Sequence, residues 1–302
     1  MSTVIVKVPA STANLGSGFD TIGMALSLYT TITIASADKL DIQVLDKRLN
    51  TLQVPENNLV YQGAKKVLEK AGRENFPLKI TIASDIPLKR GLGSSGAAVV
   101  GGMIGVNALL DSPFSKEEIF QMATQLEGHP DNVAASLFGG IIITTKVADG
   151  NYTYLKLDPP QGLKAVVGIP DLHLATQSMR DVLPASYPKE DTIFAVNHTA
   201  LLVGALATGK LEYLYEAMQD RLHQPYRARF VPCLDRLILE GKDHGALGVA
   251  LSGAGPSLIA FTKDTEEELV TYMREMYDEE NISAEIRILT IDPHGVQVER
   301  TN

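Results

Sequence analysis

The sequence predicts an α+β protein in two parts, 1–160 and 161–302. Three observations carry that expectation. Period-two and helical hydrophobic runs alternate irregularly, unlike the regular strand–helix order of a doubly wound sheet. Strand runs at 28–36 and 40–45 follow one another closely, which predicts a hairpin and a partly antiparallel sheet. Between the parts lies Asp158-Pro-Pro-Gln-Gly162, a turn-rich junction.

The elements follow in order. Segments 3–8, 28–36, 40–45, 78–83 and 140–147 are rich in Val, Ile and Thr and read as strands. Residues 57–71 read as a helix closed by Gly72. Ser115 and Glu118 form a capping box, serine capping and glutamate reaching back, and the helix they open runs to 126 before Gly128. Beyond the junction, 164–169 reads as a strand and 189–207 as a helix. Helices at 211–222 and 227–239 flank Gln224-Pro225, and strands at 248–251 and 257–262 surround a glycine turn. A helix at 265–280 and a last strand at 284–291 complete the reading. Neither an internal repeat nor a low-complexity tract interrupts it.

Composition narrows the function. With 302 residues, 45% hydrophobic and 21% charged, the chain is an ordinary globular protein. A chain of roughly 300 residues buries about three quarters of its unfolded surface, so it needs no disulfide or structural metal. Against 36 acidic residues stand 27 basic ones, a net charge of −9. Such a surface repels polyphosphate backbones and anionic headgroups, so nucleic acid and membrane are not expected partners. The one cysteine, Cys233, excludes an intramolecular disulfide and a multi-cysteine zinc site. The amino terminus lacks the basic start and apolar core of a secretory signal. The most apolar stretch, 97–110, is about 14 residues and holds Asn107, short of the roughly 20 a membrane span needs. A cytoplasmic protein is expected.

Three glycine-rich segments carry the chemistry. In Pro87-Leu-Lys-Arg-Gly-Leu-Gly-Ser-Ser-Gly-Ala97 a strand enters, a loop turns, and a helix leaves from about Ser95. Unpaired N–H groups and the positive dipole end of a helix amino terminus favour an anion, and glycines let backbone approach it. Lys89 and Arg90 precede the glycines, so the Walker A order is absent. Gly91, Gly93 and Gly96 match G-x-G-x-x-G, but the acidic Asp111 follows Leu110 with no strand between, as a dinucleotide fold would need. A glycine turn packing a helix on a sheet explains the glycines and leaves two serines and two basic residues unexplained. The second segment, 9–20, is a polar loop holding Asn14, Gly16, Gly18 and Asp20. The third, 248–260, reads as a hairpin around Ser252-Gly-Ala-Gly-Pro256.

Together and in this order, the three segments resemble the GHMP small-molecule kinases, named for galactokinase, homoserine kinase, mevalonate kinase and phosphomevalonate kinase. The homoserine kinase branch is the nearest match, through Asn14-Leu-Gly-Ser-Gly-Phe-Asp20, Arg90-Gly-Leu-Gly-Ser-Ser95, Leu126-Glu-Gly-His-Pro-Asp-Asn-Val133 and Pro225-Tyr-Arg227. The resemblance implies two α+β domains with mixed or antiparallel sheets, an N-terminal ATP-binding domain and an active site in the cleft. It implies transfer of the ATP γ-phosphoryl group to the side-chain hydroxyl of L-homoserine, on the route to threonine. The loop Lys89, Arg90, Gly91, Leu92, Gly93, Ser94, Ser95, Gly96, Ala97, Ala98 and Val99 would wrap the phosphates. Ser95 and Glu127 would hold Mg2+, which wants hard oxygen ligands. Arg180 and Arg227 would grip the substrate carboxylate, with Asn14, Asp20 and His129 orienting its ammonium and hydroxyl.

Some relatives carry a basic aspartate before their Gly-Gly strand. Counting back from Gly139-Gly140 puts Asn132 on that position, with Asp131 beside it. Either Asp131 is a general base or the hydroxyl proton goes to phosphate or solvent. A homodimer is implied by the resemblance alone. Three rivals remain: a sister kinase for a mevalonate-type alcohol, a nicotinamide-dependent oxidoreductase, and a non-catalytic nucleotide-binding regulator.

Overall fold

The computed structural model describes residues 2–46 and 52–301. Two sheets organise it. The first contains β1 (Thr3–Asn14), β2 (Gly18–Ser36), β3 (Asp41–Val44), β4 (Leu78–Ser84), β5 (Ile141–Lys146), β6 (Tyr152–Leu157) and β11 (Gln297–Thr301). Its strand order is β11-β1-β2-β4-β3, with β5 pairing β2 and β6 pairing β5. The second contains β7 (Lys164–Pro170), β8 (Gly248–Leu251), β9 (Leu258–Thr262) and β10 (Ala284–Thr290), in the order β10-β7-β9-β8.

The long strands β1 and β2 form an antiparallel hairpin whose register shifts after Pro9 and Ala13. β2 is long enough to serve two partners, β4 along 30–36 and β5 along 22–24. Thus most of the segment read as a polar loop is strand, and only its tip, 15–17, turns.

Helices cover the first sheet: α1 (Leu59–Lys70), α2 (Ser94–Leu109), α3 (Lys116–Glu127) and α4 (Asp131–Phe138). The apolar stretch at 97–110 is mostly α2, buried almost throughout. Its glycines let it lie close: a Cβ on Gly101 would stand 2.3 Å from Ile32 Cδ1, and one on Gly102 would stand 1.9 Å from the Val60 carbonyl oxygen. Asn58 caps α1 by accepting from the Tyr61 N–H, and the Ser115–Glu118 capping box forms as expected.

The second sheet is buried on both faces by strand alternation. Ala165, Val167, Ile169, Ile259 and Phe261 join the core of the first sheet. Val166, Leu258 and Ala260 turn the other way, onto Leu269, Met273 and Met276 of α10 (Glu266–Glu279). The remaining helices are α5 (Thr176–Asp181), α6 (Lys189–Thr208), α7 (Leu214–Ala217), α8 (Gln224–Arg227) and α9 (Leu234–Glu240).

Five expectations are corrected. The hairpin of 28–36 with 40–45 does not form: β3 pairs β4 in parallel, and β4 lies between β3 and β2. β4 offers β2 seven register positions, whereas β3 is only four residues long. The helix expected at 211–222 shrinks to a 3-10 turn and α7, and that at 227–239 divides at Cys233. Gln224-Pro225 opens α8 instead of separating helices, because proline fits the first helical turn, where no N–H is needed. A last strand, β11, follows the expected one and pairs β1. In addition, α6 is a 20-residue helix that meets the length and composition of a membrane span, a feature the reading of 97–110 passed over. Its Ala195, Leu202, Ala205 and Leu206 are buried against the rest of the fold.

No dinucleotide unit is present among the described residues. β4 feeds α2 without a parallel strand after it, and the only parallel pair among the described residues is β3–β4. Asp111, the would-be ribose acid, is exposed and bonds Arg300 at 2.9 Å.

Candidate active site

The three glycine-rich segments meet. The Ser11 N–H donates to Leu92 O at 3.2 Å, and the Ser257 N–H donates to Arg90 O at 3.3 Å. Ser252 Oγ donates to Gly91 O at 2.7 Å, and Asn14 Nδ2 to Gly253 O at 3.0 Å. Such contact demands glycine. A Cβ on Gly91 would stand 2.2 Å from Ser252 O, and one on Gly93 would stand 2.0 Å from Ser11 Oγ; both residues have φ near +70°, at +73° and +67°.

Around this junction lies a cavity of about 120 Å³. Asn14, Asp20, Lys89, Gly91, Gly93, Ser94, Ser95, Glu127, His129, Asp131, Asn132, Arg180 and Arg227 all line it. Lys89, Ser94, Ser95 and Thr176 also line a second cavity of about 520 Å³, walled by Val44, Leu59, Val60, Ile82, Leu88 and Ala98. The two cavities share the loop. Behind it, Leu92, Ala97 and Val99 are buried and line neither space. Gly96 packs on Asn132, and the Ala97 N–H is spent on Gly93 O. Arg90 also turns away: its guanidinium bonds Asp171 Oδ1 at 2.7 Å and His173 Nδ1 at 2.7 Å.

The acidic side of the small cavity is a short chain of contacts. Ser95 Oγ donates to Glu127 Oε2 at 2.7 Å. Burial outweighs that bond and the nearby His129, holding the Glu127 carboxyl above the ordinary glutamate range. His129 Nδ1 stands 3.2 Å from Asp131 Oδ1, at ion-pair distance but angled off a hydrogen bond. Burial works against the His129 cation, yet Asp131 and Glu127 prevail and raise its pKa. Asp131 opens α4 and accepts from the Asn132 N–H at 2.7 Å and Asn132 Nδ2 at 3.2 Å. Asn132 Oδ1 accepts from Ser11 Oγ at 2.9 Å, so the amide is spent on structure.

On the basic side neither arginine presents an empty fork. Arg180 makes a two-pronged pair with Asp20, Nη1 to Oδ2 at 2.9 Å and Nη2 to Oδ1 at 2.7 Å. Arg227 is 2% exposed. Its Nε donates to Met179 O at 2.9 Å, and its Nη1 contacts His223 Nδ1 at 3.1 Å and Gly253 O at 3.2 Å. Burial first, then the neighbouring Arg180 charge, pulls this guanidinium down to about 10. Nη2 alone has no partner among the described residues.

A model described as the GHMP kinases N terminal domain matches residues 58–140, and one described as GHMP kinases C terminal matches 202–279. The chain belongs to the GHMP kinase family. It is 41% identical to the homoserine kinase of Deinococcus radiodurans, across 97% of this chain and 96% of that relative. The homoserine kinase of Persephonella marina is 40% identical, across 99% of each. The crystal structure of homoserine kinase from Cytophaga hutchinsonii superposes with a TM-score of 0.88 at 27% identity, covering 98% of this chain and 97% of that one. A Methanococcus jannaschii mevalonate kinase shares the fold, with a TM-score of 0.71 at 18% identity and coverage of 95% and 98%.

Sequence reasoning missed Ser11, Phe19, Thr176, Gly253 and Ala254 as parts of this GHMP site. The third glycine segment was in view but read as a hairpin turn. Nothing in it shows that Gly253 faces Asn14 from 239 residues away.

Proposed function

We propose that this chain transfers the γ-phosphoryl group of ATP to the side-chain hydroxyl of L-homoserine. The observation that carries the reading is convergence. The loop serines, a buried carboxylate and two arginines line one compact cavity. Relatives named homoserine kinase at about 40% identity along nearly the whole chain support the same substrate.

The backbone N–H groups of Ser94 and Ser95 precede the first helical hydrogen bond of α2, at the cavity wall, and can donate to phosphate oxygens. The apolar cavity beside them has room for the nucleoside. Ser95 and Glu127 would hold Mg2+, since they bring two hard oxygens together at the cavity wall, 2.7 Å apart. When bound, the ion neutralises charge as the phosphoryl group moves.

Arg227 offers the substrate carboxylate a charge and the two hydrogens of Nη2, not a fork. In this reading Asp20, held by Arg180, would take the ammonium, and His129 would orient the hydroxyl. Asn14 shapes the turn, its Oδ1 accepting the Asp20 N–H at 3.0 Å. Asn132 is an amide and supplies no base, and Asp131 Oδ1 is engaged by the Asn132 N–H, Asn132 Nδ2 and the nearby His129, so in this reading the hydroxyl proton passes to the phosphoryl oxygens. The division near residue 160, a cytoplasmic location and a homodimer remain parts of this proposal. Phosphorus NMR of a mixture with Mg-ATP and L-homoserine tests it. A new phosphomonoester signal is expected, and inorganic phosphate alone would overturn it.

A further inference from the structure

His223 is fully buried at the back of the small cavity, with no direct place in the chemistry above. Its Nε2 lies 2.9 Å from Gly16 O, a pure acceptor, so that nitrogen carries the hydrogen. Nδ1 then holds a lone pair, 3.1 Å from Arg227 Nη1. The ring stacks on Phe19 at 5.0 Å, and the Arg227 guanidinium lies 5.4 Å from the same phenyl ring. Asp220 Oδ2 approaches Nε2 at 3.5 Å while accepting the His223 and Gln224 N–H groups, which anchors the start of α8.

We infer that His223 is a positioning residue. As a neutral Nε2–H imidazole it ties the turn of β1–β2 to Arg227 and leaves only Nη2 of that arginine for a substrate carboxylate. The inference rests on the proposed homoserine reading. Protonation would turn Nδ1 into a donor facing a donor, with two cations in contact. Burial, the largest influence, keeps the pKa of His223 below its ordinary value, against the pull of Asp220.

Two variants separate positioning from bulk packing. His223→Asn keeps a polar acceptor near Nδ1 and loses the Gly16 bond. His223→Gln keeps a donor near Nε2 and loses the acceptor facing Arg227. Each is assayed with L-homoserine and with 3-amino-1-propanol, which lacks the carboxylate. The Gln variant should raise KM for homoserine by about tenfold, the scale of one hydrogen bond to a charged group, with little change in KM for ATP or for the amino alcohol. The Asn variant should retain most homoserine affinity while losing thermal stability. Equal losses on both alcohols, or equal behaviour of the two variants, would make His223 structural only and overturn the inference. Nitrogen-15 NMR of the native imidazoles covers variants that fail to fold: a protonated Nδ1 on His223 overturns the inference as well. Native enzyme that treats the two alcohols alike would instead remove the carboxylate reading of Arg227 beneath it.

Discussion

Glu127 shows how one buried carboxylate would link acidity to the proposed metal binding. Its pKa is raised by burial, so protonation begins above the ordinary glutamate value of 4.5. A protonated carboxyl holds magnesium poorly. The magnesium concentration for half activity should therefore climb as pH falls toward that raised value, and Glu127→Gln should need more metal at every pH and lose the trend. A flat magnesium requirement in the native protein would remove Glu127 from the metal. His129 titrates in the opposite sense. Its raised pKa favours the folded cation, so the stability it adds is complete below 6.5 and fades as pH rises through the higher folded value. Arg227→Lys tests the arginine. Lysine keeps charge but abandons Met179 O, His223 and Gly253 O. Stability should fall by about 2–3 kcal/mol, and kcat/KM for homoserine by about 1.5–3 kcal/mol, with a smaller loss on a carboxylate-free alcohol. Urea melts and steady-state assays read both.

Among elements, the loop before α2 was the most legible in the sequence, because glycine spacing and a strand-to-helix change are local signals. What escaped was the reason for each glycine. Gly91 and Gly93 are needed first for backbone contact with Ser252 and Ser11, before any phosphate arrives. Gly93→Ala should thus cost about 2–3 kcal/mol, from a positive φ on a side-chain residue and a displaced Ser11–Asn132 bond, measured as a shift in urea midpoint. A midpoint unchanged from native would show that the loop does not pack as described. Arg90 makes the same point. Its neighbours in sequence suggested phosphate, but Asp171 and His173 arrive from 81 and 83 residues away. The pairing of β3 was equally hidden, since it depends on β4, which comes later in the chain.

For the whole molecule, the two-layer α+β plan was readable from periodicity, and the family from three ordered motifs. The end of the chain was not, because β11 is a short exposed edge strand whose partner, β1, lies at the other terminus. That return matters for cooperativity. One continuous core includes Val6 and Ile32 of the first sheet, Val167 and Phe261 of the second, and Leu202 of α6. Calorimetry should show one unfolding transition, with calorimetric and van't Hoff enthalpies in agreement. Two resolved transitions would mean that the halves hold together only weakly. The central claim is that a phosphate loop and a carboxylate-binding arginine serve one small cavity. It is tested most directly by ADP release with Mg-ATP and a panel of L-homoserine, mevalonate and 3-amino-1-propanol. The account predicts the highest kcat/KM for L-homoserine, at least about tenfold above the carboxylate-free alcohol, as one charged hydrogen bond requires. Preference for mevalonate, or ATP binding without alcohol-dependent ADP release, would contradict it.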